Sequence, residues 1–319
     1  MTARRKTMRY CAAMPAAQGG VALITAVLIA AVIALIAVSM AAQQKLDVRR
    51  TANVIEGERA YVFALGVESW VQQVLAKDKR DNQADHLGEP WALRLPPITV
   101  EGAVIGGRIE DLQGRFNLNN LVKDDKVSPL DMQRFQNLLT VLSVDPAIAN
   151  AVVDWIDPDA DITFPGGAED GEYLRAAVPY RAANGPMASP SELLLVQGVT
   201  ADIYQKLAPL VSALPARTDL NVNTAPKEVL MALAAEVSGA DADALIEARE
   251  KEGFAAISVF LQQPALAGRG VDPAGLTLAS DYFLLDGATQ FGRVKIRLYS
   301  VLQRGGGGVR TLVRGQGTY

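Results

Sequence analysis

The chain has 319 residues, of which 50% are hydrophobic, and its formal net charge is −4. That length is enough for one to three domains with buried cores. The single histidine, His86, and the single cysteine, Cys11, argue against a zinc site, and the acidic balance argues against general affinity for nucleic acid.

Residues 21–42 form an apolar run, interrupted only by Thr25 and Ser39. As a helix the run would span about 33 Å, enough to cross a hydrocarbon core of about 30 Å. The glycine pair Gly19–Gly20 precedes the run, whereas a secretory signal carries its small-residue cleavage site after it. Four basic residues before the run predict that this end stays cytoplasmic and that the chain after Ala42 lies on the far side of the membrane, which in a bacterium is the periplasm; they are Arg4, Arg5, Lys6 and Arg9.

The apolar run continues into an amphipathic stretch. Residues 43–76 contain no proline, and their apolar residues recur at helical spacing: Ala60, Phe63, Val67, Trp70, Val71 and Val74. We therefore predict one helix from Val21 to about Ala76.

A basic leader ending in glycine, followed directly by such a helix, resembles the type IV pilins and the pseudopilins of type II secretion. The resemblance implies that a prepilin peptidase cleaves after Gly20 and methylates the new terminus at Val21. The fifth residue after Gly20 is Thr25, where the family usually has a glutamate that pairs with the terminal ammonium of a neighbouring subunit. Its absence is characteristic of one group, the minor pseudopilins of the general secretion pathway protein K family.

The rest of the chain alternates between strand-like and helical segments. Residues 77–97 read as a loop and 98–112 as one or two strands. Alternation over 294–298 predicts a strand that turns at Gly305–Gly308 into a last strand, 309–313. Between these regions we predict helices over 129–142, 146–155, 190–196, 201–214, 227–236 and 242–252.

This layout, with the resemblance, predicts an α+β fold: a pilin-like long N-terminal helix packed on a small antiparallel sheet, with a large all-α domain inserted between strands. The predicted boundaries are a leader at 1–20, a transmembrane part at 21–42, a first pilin-like part at 43–121, an inserted helical domain at 122–217, a helix-hairpin-helix-like module at 218–270 and C-terminal strands at 271–319.

An acidic segment, DWIDPDADITFPGGAEDGE over residues 154–172, contains seven carboxylates and no lysine or arginine. It is either a solvated loop or a Ca²⁺-binding loop, since Ca²⁺ takes six to eight oxygen ligands. We expect its apolar residues to draw it against the core; they are Trp155, Ile156, Ile162 and Phe164. An EF-hand beginning at Asp157 is excluded by Ile162 at its sixth position and Ala168 at its twelfth.

The motifs DWIDPD, GGAED and PYRAANGPMASPSELLLVQGV resemble the calcium-carrying segment of the protein K family. The resemblance implies a structural Ca²⁺ bound between two limbs of the segment, which a turn at 165–167 brings together. The implied ligands are Asp157, Asp159, Asp161, Glu169 and Asp170, with Asp154 as a further candidate.

A competing hypothesis comes from residues 219–254, which resemble a helix-hairpin-helix module of the kind that binds DNA phosphates. This would make the chain a membrane-anchored periplasmic DNA-binding protein. Residues 226–253, however, hold three basic residues against seven acidic ones, and the hairpin has a single glycine, Gly239. Such an acidic hairpin repels phosphate, so we expect no nucleic-acid partner.

The family resemblance implies a minor pseudopilin at the tip of the periplasmic pseudopilus, in complex with the minor pseudopilins I and J, anchored by one span in the bacterial inner membrane. Because Thr25 cannot make the usual pairing and the helical insertion looks too bulky for a regular fibre, we expect it to start or cap the pseudopilus. No nucleophile pairing or dinucleotide fingerprint is present in the sequence, so we expect no enzyme activity.

Overall fold

The computed structural model describes residues 19–250 and 252–317. Its first element is the helix α1, Gly19–Asp81, which extends past the predicted end near Ala76. The part Gly20–Asp81 is long and apolar enough to cross a membrane, with an 18-residue window of mean hydropathy 3.1. The chain divides between Glu56 and Gly57 into two units. The second unit, residues 57–317 of the described chain, contains the end of α1 and all the remaining helices and strands.

Within the described residues, seven further helices follow α1: α2 Pro129–Val141, α3 Ile148–Ile156, α4 Asp170–Tyr173, α5 Ala201–Leu207, α6 Lys227–Met231, α7 Gly239–Arg249 and α8 Ile257–Leu261. Short 3₁₀ turns cover Pro90–Ala92, Leu118–Leu121, Pro190–Leu195 and Pro264–Leu266. The strands are β1 Leu95–Val100, β2 Ala103–Asp111, β3 Phe116–Asn117, β4 Val122–Lys123, β5 Lys126–Val127, β6 Val211–Ser212, β7 Leu220–Asn221, β8 Leu276–Thr277, β9 Tyr282–Phe291, β10 Val294–Gly305 and β11 Gly308–Gln316.

The main sheet has five strands in the order β1-β2-β9-β10-β11, and every neighbouring pair is antiparallel. Strands β2 and β9 are neighbours in the sheet, although 170 residues separate their ends, Asp111 and Tyr282. The helices α2–α8 lie within that stretch of sequence. The predicted fold class, a long N-terminal helix on an antiparallel sheet with a helical block inserted between strands, is therefore confirmed, although the block also contains short strands.

One face of the sheet packs against α1. Val67, Val71 and Leu75 of the helix are buried with Phe283 and Leu285 of β9. Because apolar area removed from water contributes about 25 cal/mol per Å², this contact stabilises the packing of the helix on the sheet. Trp91, from the turn after α1, packs edge-on against Phe283, with ring centroids 5.2 Å apart.

The inserted block has a large apolar core of its own, which includes Phe135, Leu138, Val152 and Leu230. Two parallel strand pairs lie within the block, β3 with β6 and β7 with β8. The predicted helix 201–214 is wrong in its second half: α5 ends at Leu207 and residues 211–212 form β6. Pro209, which has no N–H and restricts the preceding residue, accounts for this early end.

Other helix boundaries in the block also differ from those predicted. Residues 190–195 form a 3₁₀ turn, and α6 ends at Met231. Helix α7 begins at Gly239, three residues earlier than predicted, because Ser238 caps it in a reciprocal capping box with Asp241. The domain boundary at 270/271 stays a prediction; residues 276–277 pair with β7 and not with the main sheet.

Candidate metal centre

The acidic loop begins at the end of α3, a helix whose nine residues are all buried. Asp154 lies in its last turn and is fully buried, and its carboxylate accepts hydrogen bonds from the backbone N–H of Thr163, at 3.2 and 3.1 Å. Burial raises the pKa of this carboxyl. Asp154 therefore holds the middle of the loop against the C-terminal end of α3.

The turn at 165–167 closes the loop. The N–H of Gly167 donates to the carbonyl oxygen of Thr163 at 2.9 Å, and Asn150 of α3 donates to the carbonyl oxygen of Pro165 at 2.6 Å. Gly167 has no room for a side chain, because a Cβ there would overlap the Asp154 carboxylate. The chain after the turn is thereby brought back to the end of α3, where Glu169 precedes α4.

Three of the predicted ligands come together at this point. Asp157, Asp159 and Glu169 each offer a carboxylate oxygen, and the three oxygens lie within 4.8 Å of one another. Two ligands of one Ca²⁺, each about 2.3–2.6 Å from the ion, are separated by no more than about 5 Å. The spacing of the three carboxylates therefore fits a shared Ca²⁺.

Two of these carboxylates, those of Asp157 and Glu169, are buried and hold oxygens without a hydrogen-bond partner among the described residues. Asp157 is 6% exposed and Glu169 is 4% exposed. Oδ1 of Asp157 and both carboxylate oxygens of Glu169 are buried and have no hydrogen-bond partner among the described residues. A buried carboxylate without a partner is costly, so this donor set is suited to a cation.

The electrostatics of the group agree with its geometry. Burial raises the pKa of the Asp157 carboxyl to about 6, and the charges of Asp159 and Asp154 add to the rise. Burial likewise raises the pKa of the Glu169 carboxyl to about 7, with further contributions from Asp154 and Asp157. Without a cation, the three negative charges repel one another at close range.

The remaining predicted ligands lie outside this three-carboxylate group. The backbone N–H of Asp161 donates to Oδ1 of Asp159 at 2.8 Å, while its own side chain is exposed. Asp170 accepts a hydrogen bond from the N–H of Ala182 at 3.0 Å, and its other oxygen is 3.6 Å from Nη1 of Arg181. Asp161 and Asp170 thus shape the two limbs of the loop.

The sequence did not single out Asn184, which also reaches the loop. Its Nδ2 donates to the carbonyl oxygen of Asp159 at 2.7 Å, and its Oδ1 is buried without a hydrogen-bond partner among the described residues. The available signal was the Asn-Gly pair at 184–185, which is typical of a turn. Asn184 ties the segment after α4 to the first limb.

The expectation that all four apolar residues of the segment pack inward is wrong for two of them. Trp155 and Ile156 are buried, but Ile162 is 41% exposed and Phe164 is 83% exposed. The backbone of Thr163, between them, is bound to the Asp154 carboxylate. Because polar groups occupy the inside of the loop, its apolar side chains at the apex face solvent.

A second group of acids, Asp78, Asp85 and Glu89, also brings carboxylate oxygens within 4.8 Å. These oxygens have protein partners: Arg304 lies 2.8 Å from Asp78 and 2.5 Å from Asp85. Glu89 accepts hydrogen bonds from Nδ2 of Asn82 at 2.6 Å and from Nε1 of Trp91 at 2.7 Å. Each carboxylate of this group therefore has protein partners, unlike the buried oxygens of Asp157 and Glu169, and the group links α1 and the turn after it to β10.

Two basic side chains of the helix-hairpin-helix-like segment, Lys227 and Arg249, have partners within the protein. Nζ of Lys227 lies 2.6 Å from Oδ2 of Asp243. Arg249 is 6% exposed and donates to the carbonyl oxygens of Val222 and Ala225. Lys251 lies outside the described residues. These engagements leave an acidic hairpin surface, which is unsuited to phosphate.

At the N-terminus, the leader residues 1–18, with all four basic residues and Cys11, lie outside the described part of the chain. Gly20 and Val21 are exposed in the first turn of α1. Oγ1 of Thr25 lies 3.0 Å from the carbonyl oxygens of both Val21 and Ala22. The Thr25 hydroxyl is thus within hydrogen-bonding distance of the backbone of its own helix and carries no charge.

Comparison with known proteins is consistent with this architecture. Family models described as type II secretion system (T2SS), protein K, match residues 114–216 and 220–279. The type II secretion system protein K of Pseudomonas aeruginosa is 36% identical over 312 residues, which cover 94% of this chain and 93% of the relative. The chain belongs to the protein K family of the type II secretion system. The protein K of Aeromonas hydrophila is 34% identical over 310 residues, which cover 90% of this chain and 93% of that protein.

The fold is shared with a solved member of the family. A crystal structure of the GspK-GspI-GspJ complex from enterotoxigenic Escherichia coli contains a chain that matches with a TM-score of 0.76 and 31% identity, covering 85% of this chain and 100% of that chain. The predicted family is therefore confirmed, and this protein K is a component of a secretion system.

Proposed function

We propose that this protein K is a minor pseudopilin at the tip of the type II secretion pseudopilus, where it starts or caps the fibre in complex with minor pseudopilins I and J. The observation that carries the proposal is the match to a chain solved together with GspI and GspJ, at a TM-score of 0.76 over 85% of this chain. The role is mechanical: export would be driven by assembly beneath this subunit, with no chemistry in the chain itself.

Two features of the chain support a terminal position. Thr25 offers a hydroxyl, bonded to its own helix, at the position where the family usually has a pairing carboxylate. The inserted block α2–α8 also adds a second core to the pilin-like sheet. A subunit that lacks the pairing acid and carries an additional helical block suits an end of the fibre better than its middle.

The proposal includes processing and a single membrane span. A prepilin peptidase would cleave after Gly20 and methylate Val21, leaving residues 21–42 in the inner membrane and the rest in the periplasm. The exposed apolar residues of α1, such as Val21, Leu28 and Leu35, support a lipid-facing helix.

The acidic loop would hold a structural Ca²⁺. Asp157, Asp159 and Glu169 would bind it, while Asp161 and Asp170 lie beside them on the two limbs. The support is the set of buried carboxylate oxygens that have no hydrogen-bond partner in the described part of the chain. When bound, the ion supplies positive charge that offsets the carboxylate repulsion; it would order the loop and serve no catalytic step.

The direct test is co-purification of the full-length chain in detergent with minor pseudopilins I and J of the same system, followed by metal analysis. We expect a ternary complex that contains bound Ca²⁺. A chain that stays apart from the I–J pair would refute the proposed assembly, and a complex without Ca²⁺ would refute only the metal site. Retention of the chain on a DNA column at moderate salt would favour the alternative, a periplasmic DNA-binding protein.

A further inference from the structure

An apolar cavity of about 280 Å³ lies beside α1 and is lined by the helix, the segment 90–96 and strands β2 and β9 of the sheet. Val67, Val71 and Val74 of α1 line the cavity, together with Trp91 and with Leu285 of β9. Ligand sites for small molecules usually measure about 300–1,000 Å³. The cavity lies just below that range, a size that suits one or two apolar side chains of a protein partner.

The rim of this cavity has the composition of an interface centre. Trp70 is 53% exposed and Leu93 is 66% exposed, although both are large and apolar. Arg94 is exposed at the same rim and forms no ion pair or hydrogen bond with any residue that the structure describes. Tryptophan and arginine are the residues most often found at the energetic centre of interfaces. An exposed guanidinium without an intramolecular partner among the described residues is available to pair with a carboxylate of whatever fills the cavity.

The neighbouring face of α1 indicates the shape of the occupant. Val62, Gly66 and Trp70 follow one another at intervals of four residues and are all exposed, so they form one stripe along the helix. A Cβ added at Gly66 would meet nothing within 4 Å. Glycine inside a helix costs about 1 kcal/mol relative to alanine, and the fold itself does not require it here. A flat place between two large side chains suits the close approach of a second helix.

Strand β1, the edge strand beside the cavity, is a poor site for a partner that would extend the sheet as a further β-strand. Strand β1 carries Pro96 and Pro97, which have no N–H to donate, and Pro96 lies at the cavity itself. The partner would then contribute side chains, with its own backbone hydrogen bonds satisfied internally, as in a helix.

We infer that this groove, formed by α1 and residues 90–96, receives an amphipathic helix of the adjoining minor pseudopilin, which inserts an apolar side chain into the cavity and places a carboxylate about one turn away against Arg94. The inference rests on the proposed function, because it assigns the adjoining subunit to the I–J pair. It adds the surface of this chain and the chemistry that the partner must present.

The test measures binding of the full-length processed chain, in detergent, to the purified I–J pair by biolayer interferometry. The test variants are Gly66→Leu, which blocks close helix approach, and Arg94→Glu, which reverses the rim charge. The controls are Gly57→Leu, two and a half turns away and so on the opposite side of the helix, and Lys126→Glu on the exposed strand β5. An added Cβ at Gly57 likewise meets nothing within 4 Å.

We expect Gly66→Leu to weaken binding at least about tenfold, as blocking an interface centre does, while the unfolding temperature of the free chain stays equal or rises. Arg94→Glu should weaken binding about fivefold, and less at high salt. Both controls should stay within about twofold of wild type.

Wild-type affinity in both test variants, with the complex still formed, would overturn the groove as the contact and leave the proposed function intact. Equal weakening by the controls would also overturn it. If the unmodified chain fails to bind the I–J pair, the proposed function and this inference both fail. A co-purified lipid filling the groove, with binding unchanged by the variants, would likewise contradict a helical occupant.

Discussion

Gly167 lies directly against the Asp154 carboxylate, so that a Cβ at position 167 would overlap its Oδ2. This contact joins the turn of the acidic loop to the end of α3. It allows the second limb, with Glu169, to reach the first limb, with Asp157.

Gly167→Ala should therefore open the loop. We expect it to lower the free energy of unfolding by about 2 kcal/mol and to weaken Ca²⁺ binding, measured by thermal unfolding with and without Ca²⁺. The matched control is Gly171→Ala in α4, where an added Cβ meets nothing within 4 Å; that variant should be neutral or slightly stabilised. Equal behaviour of the two variants would count against the described loop geometry.

Removal of Ca²⁺ should reveal the repulsion among the carboxylates. We expect chelation to lower the unfolding temperature of the wild-type chain, since Ca²⁺ at about a hundred times its Kd contributes about 2.7 kcal/mol. The double variant Asp157→Asn with Glu169→Gln should be more stable than wild type in chelator and insensitive to added Ca²⁺. The control Asp125→Asn, in the exposed β4–β5 turn, should respond to Ca²⁺ as wild type does. A Ca²⁺ response retained by the double variant would show that the ion binds elsewhere.

The packing of α1 on the sheet should depend on pH through Glu68. Burial alone would raise the pKa of this carboxyl, but hydrogen bonds from Arg314, Ser300 and Thr311 outweigh burial and hold the pKa below its usual value of 4.5. A lowered folded-state pKa stabilises the protein fully above the unfolded value of 4.5, and this contribution is lost as the pH falls through the folded value.

Glu68→Gln should therefore cost about 2 kcal/mol at neutral pH, and the difference from wild type should shrink as the pH falls below about 4.5. Chemical denaturation across pH 3–7 measures this difference, with Glu58→Gln, at an exposed position of the same helix, as the control. A Glu68→Gln deficit that does not change with pH would contradict an ionised, hydrogen-bonded Glu68.

Processing at Gly20 can be checked by mass spectrometry of the N-terminus after co-expression with a prepilin peptidase. We expect wild type and Gly19→Ala to begin at a methylated Val21, and Gly20→Glu to keep the leader. An amine still at Met1 in the wild-type chain, or newly exposed after Ala42, would contradict the proposed anchor.

The sequence was sufficient for features that depend on local pattern. The unbroken helical spacing up to Ala76 predicted α1, and the strand-like residues before and after the helical runs predicted an insertion. Two asparagine turns are equally local: Oδ1 of Asn117 accepts from the N–H of Asn119, and Oδ1 of Asn221 accepts from the N–H of Asn223. Each of these depends on residues close together in the chain.

The structural features that the sequence did not predict depend on contacts between distant segments of the chain. β6 forms because Val211 and Ser212 pair with Phe116 and Asn117, about ninety-five residues earlier, and the local apolar pattern was equally compatible with a helix. The exposure of Phe164 follows from the long-range fold of the loop onto Asp154. The role of Asn184 depends on its hydrogen bond to the carbonyl oxygen of Asp159, which lies 25 residues earlier in the chain.

The central claim, that this protein K occupies an end of the fibre, is tested most directly by immunogold labelling of isolated pseudopili that carry an epitope-tagged full-length chain. We predict gold at a single end of each fibre. Gold spaced regularly along the fibre would contradict the claim, because it would show that a subunit with Thr25 and the inserted helical block can extend the pseudopilus.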